Sequence, residues 1–279
     1  MTKKVALVTG ASSGIGYEAA IQLHDKGFIV YGAARRMDLL ETLAAKGINI
    51  INLDVTKDDS MQACIESIIS KEGRIDVLVN NAGYGSFGAV EDVSMEEARR
   101  QMDVNVFGLA RMSQLVLPHM RKQKTGRIIN ITSIGGKVHS PFGGWYHATK
   151  FAVEGLSDCM RMELNDKGIK VILVEPGGIK TEWGVIAADN LLKSYKDGSY
   201  SDLATQVATC AKKTYFAGKL SSSPSLIAKI IVKASTKKNP KTRYLVVAGA
   251  KPALFLRHIL TDKACDKVML RFVGKRTKL

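Results

Sequence analysis

Nowhere does this chain sustain the ~18 consecutive apolar residues that a membrane-spanning helix needs. Its opening, "MTKKVALVTG", runs straight into a strand-like segment, with neither the apolar core nor the small-residue cleavage site of a secretory leader. Cysteine is sparse. Cys64, Cys159, Cys210 and Cys265 lie far apart, a spacing that suggests neither a zinc site nor a disulfide framework. No metal is expected, and the thiols suit a reducing, cytoplasmic setting. Acid is scarce in one place only. Residues 221–279 hold 14 of the 41 Lys and Arg but just Asp262 and Asp266 of the 26 acids, so +12 of the net +15 sits in the last fifth of the chain.

What is present is a regular alternation. The segments 3–10, 28–34, 48–54, 75–81, 126–133, 169–176 and 243–249 are short, β-branched and apolar on both faces, as parallel strands buried between helix layers should be. Longer amphipathic stretches near 14–26, 58–71, 94–121, 145–166, 184–217 and 223–237 separate them. Seven alternations predict an α/β fold of the Rossmann type, a doubly wound, seven-stranded parallel sheet with helices on both faces. With 279 residues, no internal repeat and no linker, the chain is expected to form a single domain over 1–279. Within it, 180–220 is polar and strandless and suits a cover over a substrate site, while 250–279 forms a basic helical extension.

The first strand runs into "TGASSGIG", Thr9 to Gly16, and then directly into a helical pattern. That context is the one in which a glycine-rich turn binds a dinucleotide. Gly10 would permit the tight turn, Gly14 the approach of backbone N–H groups to a pyrophosphate, and Gly16 close packing of helix on strand. Ser12, Ser13 and the helix N-terminus around Ile15 would add donors and positive dipole. At the end of the second strand stands "GAARRMD", with Arg35 and Arg36 where a binder of NAD would usually present an acid. Guanidinium groups pair with a 2′-phosphate, so NADP(H) is expected rather than NAD(H).

Further on, "GGWYHATKFAVEGL" places Tyr146 and Lys150 one helical turn apart, on one face. A phenol titrates near pH ~10, and an adjacent cation is expected to lower that value, which would make Tyr146 a general acid or base.

With these motifs in order, the chain resembles the classical short-chain dehydrogenases/reductases over nearly its whole length. The matching segments are "TGASSGIG", "LDV", "NNAG", "DVNVFG", "ITS", "YHATK" and "EPGGIKT". The resemblance implies a catalytic tetrad of Asn105, Ser133, Tyr146 and Lys150. It further implies that Asp54 and Val55 hold the adenine and that Asn81, Ala82 and Gly83 line the cofactor. Pro176, Gly177, Ile179 and Thr181 would meet the nicotinamide end. Family members are often homodimers or homotetramers.

Tyr84, Phe87, His139, Phe142, Trp145 and Trp183 are candidates to line a substrate pocket, and their character suits a hydrophobic ketone or alcohol. The C-terminal stretch resembles the tails of members grouped with hydroxysteroid dehydrogenases, retinol dehydrogenases and acyl-dihydroxyacetone-phosphate reductases, which implies a steroid-, retinoid- or lipid-like substrate. Two other classes share parts of this pattern. A nucleic-acid-binding protein would explain the basic tail, but no nucleic-acid partner is expected, because helix-turn-helix, zinc and RNA-binding signatures are all missing. A non-catalytic NADP(H) sensor would need a damaged tetrad. The basic tail carries interleaved apolar residues, which fits packed amphipathic helices or peripheral contact with an anionic membrane.

Overall fold

A computed structural model describes residues 3–180, 188–189, 191–192, 198–216, 221–246 and 250–274. The main sheet is built from β1 (Val5–Thr9), β2 (Ile29–Ala34), β3 (Asn49–Asn52), β4 (Val77–Asn80), β5 (Gly126–Ile131), β6 (Ile169–Pro176) and a last strand introduced below. Between them lie α1 (Gly14–Asp25), α2 (Met37–Ala44), α3 (Asp58–Glu72), α4 (Met95–Met102), α5 (Gly108–Gln123) and α6 (Gly144–Glu163). Two-residue strands β7 (Gly178–Ile179) and β8 (Ser221–Ser222) then bracket α7 (Ser201–Phe216). The chain ends with α8 (Pro224–Thr236), β9 (Arg243–Val246), α9 (Ala250–Ile259) and α10 (Asp262–Phe272).

The sheet order is β3-β2-β1-β4-β5-β6-β9, and each pairing within it is parallel. All seven expected strands are present. Each expected helix overlaps an observed one, and α2 is an additional short helix after the two arginines. Strand β1 shows why the sequence is apolar on both faces. Ala6 and Val8 join a core with Ala20, Leu23, Ile227 and Ile231, under α1 and α8. Val5 and Leu7 join the opposite core with Ile65, Met112 and Val116, under α3 and α5. A helix layer on each face leaves no solvated side, so alternation disappears.

The chain order reverses direction across the sheet between β1 and β4, which opens a crevice at the carboxyl ends of the strands. Thr9, Ala34, Asn80, Ile131 and Pro176 end their strands on that side. The segment expected to cover the crevice is pinned at both ends. Gly178 and Ile179 pair in parallel with Ser221 and Ser222, and Lys180 N donates to Ser222 O (3.0 Å).

Candidate active site

The turn after β1 is held by hydrogen bonds from the neighbouring strand rather than by its own side chains. Thr9 Oγ1 accepts from Asn81 N and Ala82 N (both 3.0 Å), and Asn81 Nδ2 donates to Thr9 O (3.0 Å) and Gly10 O (3.2 Å). This close approach explains the glycines. A Cβ on Gly10, whose φ is +66°, would stand 2.8 Å from Ala82 Cα, and one on Gly16 would stand 2.4 Å from Gly10 O. Helix α1 has no acid in its first turn, and Ser13 occupies its N-cap without bonding its own helix through its side chain. The N-terminal dipole is therefore unopposed, which suits an anion.

Arg36 Nη2 donates to Ser12 Oγ (3.1 Å), so this arginine, just past the end of β2, reaches back to the glycine turn. Burial raises the Asp54 carboxyl, but hydrogen bonds from Thr56 and the charges of Arg35 and Lys57 outweigh it and hold the group below the ordinary range. Arg35, Arg36, Asp54 and Val55 all line one cleft with the glycine turn, and Asn81, Ala82 and Gly83 continue its floor. The cleft measures about 1340 Å³, roomy enough for a dinucleotide and a second molecule. Pro176, Gly177 and Ile179 line it as expected. Thr181 and Trp183 lie outside the described residues.

Of the four expected catalytic residues, Ser133, Tyr146 and Lys150 line the cleft, the last two from α6, while Asn105 is buried behind it. Asn105 sits in a π-helical turn, Asp103–Phe107, between α4 and α5. The widened turn aims its amide across at the backbone of Tyr84. Asn105 Nδ2 donates to Tyr84 O (2.8 Å), and Asn105 Oδ1 accepts from Tyr84 N (3.0 Å). Asn105 Nδ2 also donates to Thr149 Oγ1 (3.1 Å), which ties it to α6. π-turns of this kind are frequent at functional sites. Ser133 caps a short 3-10 turn through Gly135 N (3.0 Å) and is hydrogen-bonded to the Tyr146 phenol.

Lys150 follows one turn after Tyr146 with Nζ 5.8 Å from the phenol ring centroid, so the two do share a face. Its ammonium donates to Ile131 O (3.1 Å), and burial pulls its pKa down to about 8, against the favourable charge of Glu154. The expected lowering of Tyr146 by this lysine is not what dominates. Burial pushes the phenol above its usual range, and the hydrogen bond with Ser133 pulls it back down.

Of the aromatic candidates, Tyr84, Phe87 and His139 line the cleft, with Phe87 stacked near Tyr146 at 5.7 Å between centroids. Phe142 and Trp145 do not. Phe142, at a positive φ of 65°, packs with Ala89, Leu191, Ala204 and Val273 in a small core. His139 Nε2 lies 3.4 Å from Asp266 Oδ1, so this loop residue meets the C-terminal helix. Met269, Phe272 and Val273 from the same extension also line the cleft.

The chain that carries this site is similar to known proteins. Residues 4–189 fit the family pattern described as short chain dehydrogenase. The chain belongs to that family. It is 40% identical over 243 residues to the 3-ketodihydrosphingosine reductase of Bacteroides thetaiotaomicron, covering 87% of each protein. It is also 31% identical over 286 residues to the NADPH-dependent 3-dehydrocapnine reductase of Ornithobacterium rhinotracheale, covering 99% of each. Among solved structures, a short-chain dehydrogenase from Streptomyces avermitilis superposes with a TM-score of 0.80 at 30% identity, over 97% of this chain and 95% of the other. This short-chain dehydrogenase is an oxidoreductase acting on CH–OH or C=O groups, with the seven-stranded Rossmann-type fold.

Three features of the site escaped the sequence reading. His147, between Tyr146 and Lys150, links the start of α6 to the loop after Ser133. Its Nδ1 pairs with Gly135 O (2.8 Å), and its Nε2 accepts from Ser140 N (3.1 Å). A Cβ on Gly143 would stand 2.6 Å from its Nε2. The two glycines around it were a signal, since they leave room for a ring against the backbone. The second feature is buried. Asn80 Nδ2 donates to Asn130 Oδ1 (2.9 Å) and Ser113 Oγ (3.0 Å), and Asn130 Nδ2 to Ser157 Oγ (2.8 Å). The third is an ion network. Arg243 on β9 pairs with Glu154 and, at 2.9 Å, Glu175, while Lys137 lies 3.3 Å from Glu154. These last two depend on side chains far apart in the chain, so local spacing held no trace of them.

Proposed function

We propose that this enzyme is an NADP(H)-dependent reductase of hydrophobic, lipid-like ketones, reversible toward the corresponding secondary alcohols, with Tyr146 as general acid/base. The observation that carries the proposal is the Tyr146–Ser133 hydrogen bond beside buried Lys150, in a cleft whose outer wall is apolar. A bound nicotinamide dinucleotide supplies or accepts the hydride. Tyr146 gives its proton to the carbonyl oxygen, and Ser133 Oγ, already within reach of the phenol, donates to the same oxygen as charge develops. Lys150, held by Ile131 O and favoured by Glu154, keeps a positive charge beside the phenol and stabilises its anion once the proton has gone. Asn105 fixes α6 to the Tyr84 loop through its side chain, and in this reading its part in catalysis is to brace that joint, with any water on the way from Lys150 to solvent held nearby.

The glycine turn with Ser12, Ser13 and Ile15 would hold the pyrophosphate, and Arg35 with Arg36 the 2′-phosphate. Asp54 and Val55 would meet the adenine, Asn81, Ala82 and Gly83 the ribose side, and Pro176, Gly177, Ile179 and Thr181 the nicotinamide. The NADP(H) preference is supported by the arginine pair and by the relative named as NADPH-dependent.

For the substrate, the outer wall formed by Phe87, Ala188, Leu191, Val207 and Ala208 supports a long apolar group. Two relatives are named for ketones of that kind, a ketodihydrosphingosine and a dehydrocapnine. A 3-ketone on a long alkyl chain is therefore preferred to a steroid or retinoid. Exposed Phe107, Phe151 and Met162, all near the α5 and α6 faces, support a homodimer or homotetramer.

The test is a panel of 3-ketodihydrosphingosine, a steroid ketone, a retinal and a short aliphatic ketone, each with NADPH and NADH, followed by nicotinamide absorbance. The highest kcat/KM is expected for the long-chain ketone with NADPH. A higher value for the steroid or short ketone rejects the substrate class, and no turnover on any ketone or alcohol rejects the enzyme reading.

A further inference from the structure

The C-terminal helices leave apolar side chains in solvent, and α10 reaches the rim of the cleft. On α9, Phe255 is 65% exposed and Ile259 57%; on α10, Val268 is 47% and Phe272 59%. Each pair is spaced i, i+4, so each helix shows one apolar stripe. None of the residues of α10 is buried. Beside the α10 stripe run Lys263, Lys267 and Arg271, again at i, i+4, i+8. The acids that could neutralise this row face elsewhere. Asp262 pairs with Arg257 (2.9 Å), and Asp266 lies against His139 (3.4 Å). Among the described residues no ion pair engages Lys263, Lys267 or Arg271.

The position of this surface is fixed. Cys210 Sγ lies 3.6 Å from Phe272 O, and Val273 is buried in the small core that holds α7 and Phe142. Met269 and Phe272 therefore stand on the rim of the cleft that contains Tyr146. An exposed apolar stripe flanked by an unopposed basic row is the pattern of a helix that lies in the plane of a lipid headgroup layer. No helix among the described residues is long and apolar enough to cross a membrane, so contact from the surface is the geometry available to these residues.

We propose that α9 and α10 form a docking face for an anionic lipid bilayer, set at the cleft rim so that a lipid-like ketone passes from the bilayer to Tyr146 without crossing water. The docking stands on the exposed stripes and the charge row; the delivery step rests on the substrate class proposed above. The basic row supplies attraction to anionic headgroups, and the apolar pairs enter the boundary below them. Because the rim residues belong to the same helix, docking and substrate entry share one surface.

The experiment is co-sedimentation of the full chain with phosphatidylglycerol vesicles and with phosphatidylcholine vesicles, at low and high salt. Binding is expected to phosphatidylglycerol at low salt, weakening strongly when salt shortens the screening length from about 10 Å to about 3 Å. Lys263→Gln/Lys267→Gln should weaken partitioning about 30-fold, at about fivefold per basic residue near the surface. Phe255→Ser/Ile259→Ser should weaken it on both lipids. Both double variants alter exposed positions away from the cleft, so turnover of a water-soluble ketone should match the parent and serves as the folding control. Protein that stays in the supernatant with phosphatidylglycerol at low salt overturns the docking. So does sedimentation analysis in which the serine variant changes oligomeric state while vesicle binding is unchanged, because the stripes then cover a second copy. If vesicles bind but a long-chain ketone dispersed in them is not reduced faster than the same ketone in detergent, docking stands and delivery falls. Loss of the substrate class alone leaves the vesicle result as it was.

Discussion

At the glycine-turn end of the cleft, Asn81 donates through its backbone N to Thr9 Oγ1 and through Nδ2 to Thr9 O, tying the end of β4 to β1, and missing Cβ atoms set the distance. At the opposite end the wall comes from α7 and α10, held by a small apolar cluster, the two-residue β7–β8 ladder and a few side-chain contacts. The first end tolerates almost no change in shape, because its contacts are short and a Cβ on Gly10 or Gly16 would collide with backbone. The second end gains its shape from packing of small apolar residues such as Ala188, Ala204 and Ala208, which can be exchanged without moving the sheet. A fixed cofactor seat and an adaptable substrate wall are what such a division suits.

The largest expected effect cuts between the two ends. Tyr146→Phe should lower kcat by on the order of 10³-fold, as loss of a proton donor does, while the Kd for NADPH stays within about twofold. Removing the phenol oxygen touches neither the glycine turn nor the arginines. A variant that keeps more than a tenth of wild-type turnover, or that loses the cofactor as well, breaks the separation. Single-turnover and equilibrium binding measurements on the same preparation read both quantities.

Legibility in the sequence follows the same division. Gly10, Gly14 and Gly16, the strand before them and the helix after them are neighbours in the chain, so their geometry is local and can be read directly. Tyr146 and Lys150 share a helix turn, and they too were legible. The direction of the Tyr146 shift was not, because it depends on burial by residues from Phe87 to Pro176 rather than on the cation one turn away. Phe142 and Trp145 are candidates for the pocket by their aromatic character, but Phe142 is buried among residues as distant in sequence as Ala89 and Val273, a contact that local pattern does not reveal. The role of α10 as a piece of the cleft wall depends on contacts such as those of Cys210 with Phe272 and His139 with Asp266, and no spacing rule reaches that far.

A smaller effect sharpens the cofactor end. Arg35→Ala/Arg36→Ala should raise the Kd for NADPH about 10- to 100-fold, since charge-assisted hydrogen bonds contribute about 1.5–3 kcal/mol each and exposure discounts them. NADH, which lacks the 2′-phosphate, should weaken by less than about threefold. Arg36 also holds Ser12, so a modest loss for both cofactors is built into the geometry. Equal losses for both would mean that the arginines brace the turn and do not read the phosphate. Isothermal titration with each cofactor distinguishes the cases.

The smallest effect lies where the two ends meet, at His147. Its Nε2 accepts from Ser140 N, so the ring must be neutral there, with the proton on Nδ1 facing Gly135 O. Burial pushes its pKa below the ordinary value; the Gly135 carbonyl pulls upward, and the charge of His139 adds to the lowering. Facing it from its own helix is Tyr146, at 5.7 Å between ring centroids. A depressed histidine favours the folded state above its unfolded pKa of about 6.5, and that contribution is lost as pH falls through the folded value. The loss can reach about 1.4 kcal/mol per pH unit, or roughly 2–4 °C in Tm per kcal/mol for a chain of this class. His147→Asn removes the titration while keeping a donor and an acceptor. Its Tm should therefore start lower near neutral pH, because the side chain is smaller, yet fall less steeply than wild type as the pH drops below about 6.5. Thermal melts of both proteins across that window are the measurement. Parallel slopes would show that His147 does not carry the acid sensitivity, and the joint between Ser133 and α6 would then owe its order to packing rather than to a neutral imidazole.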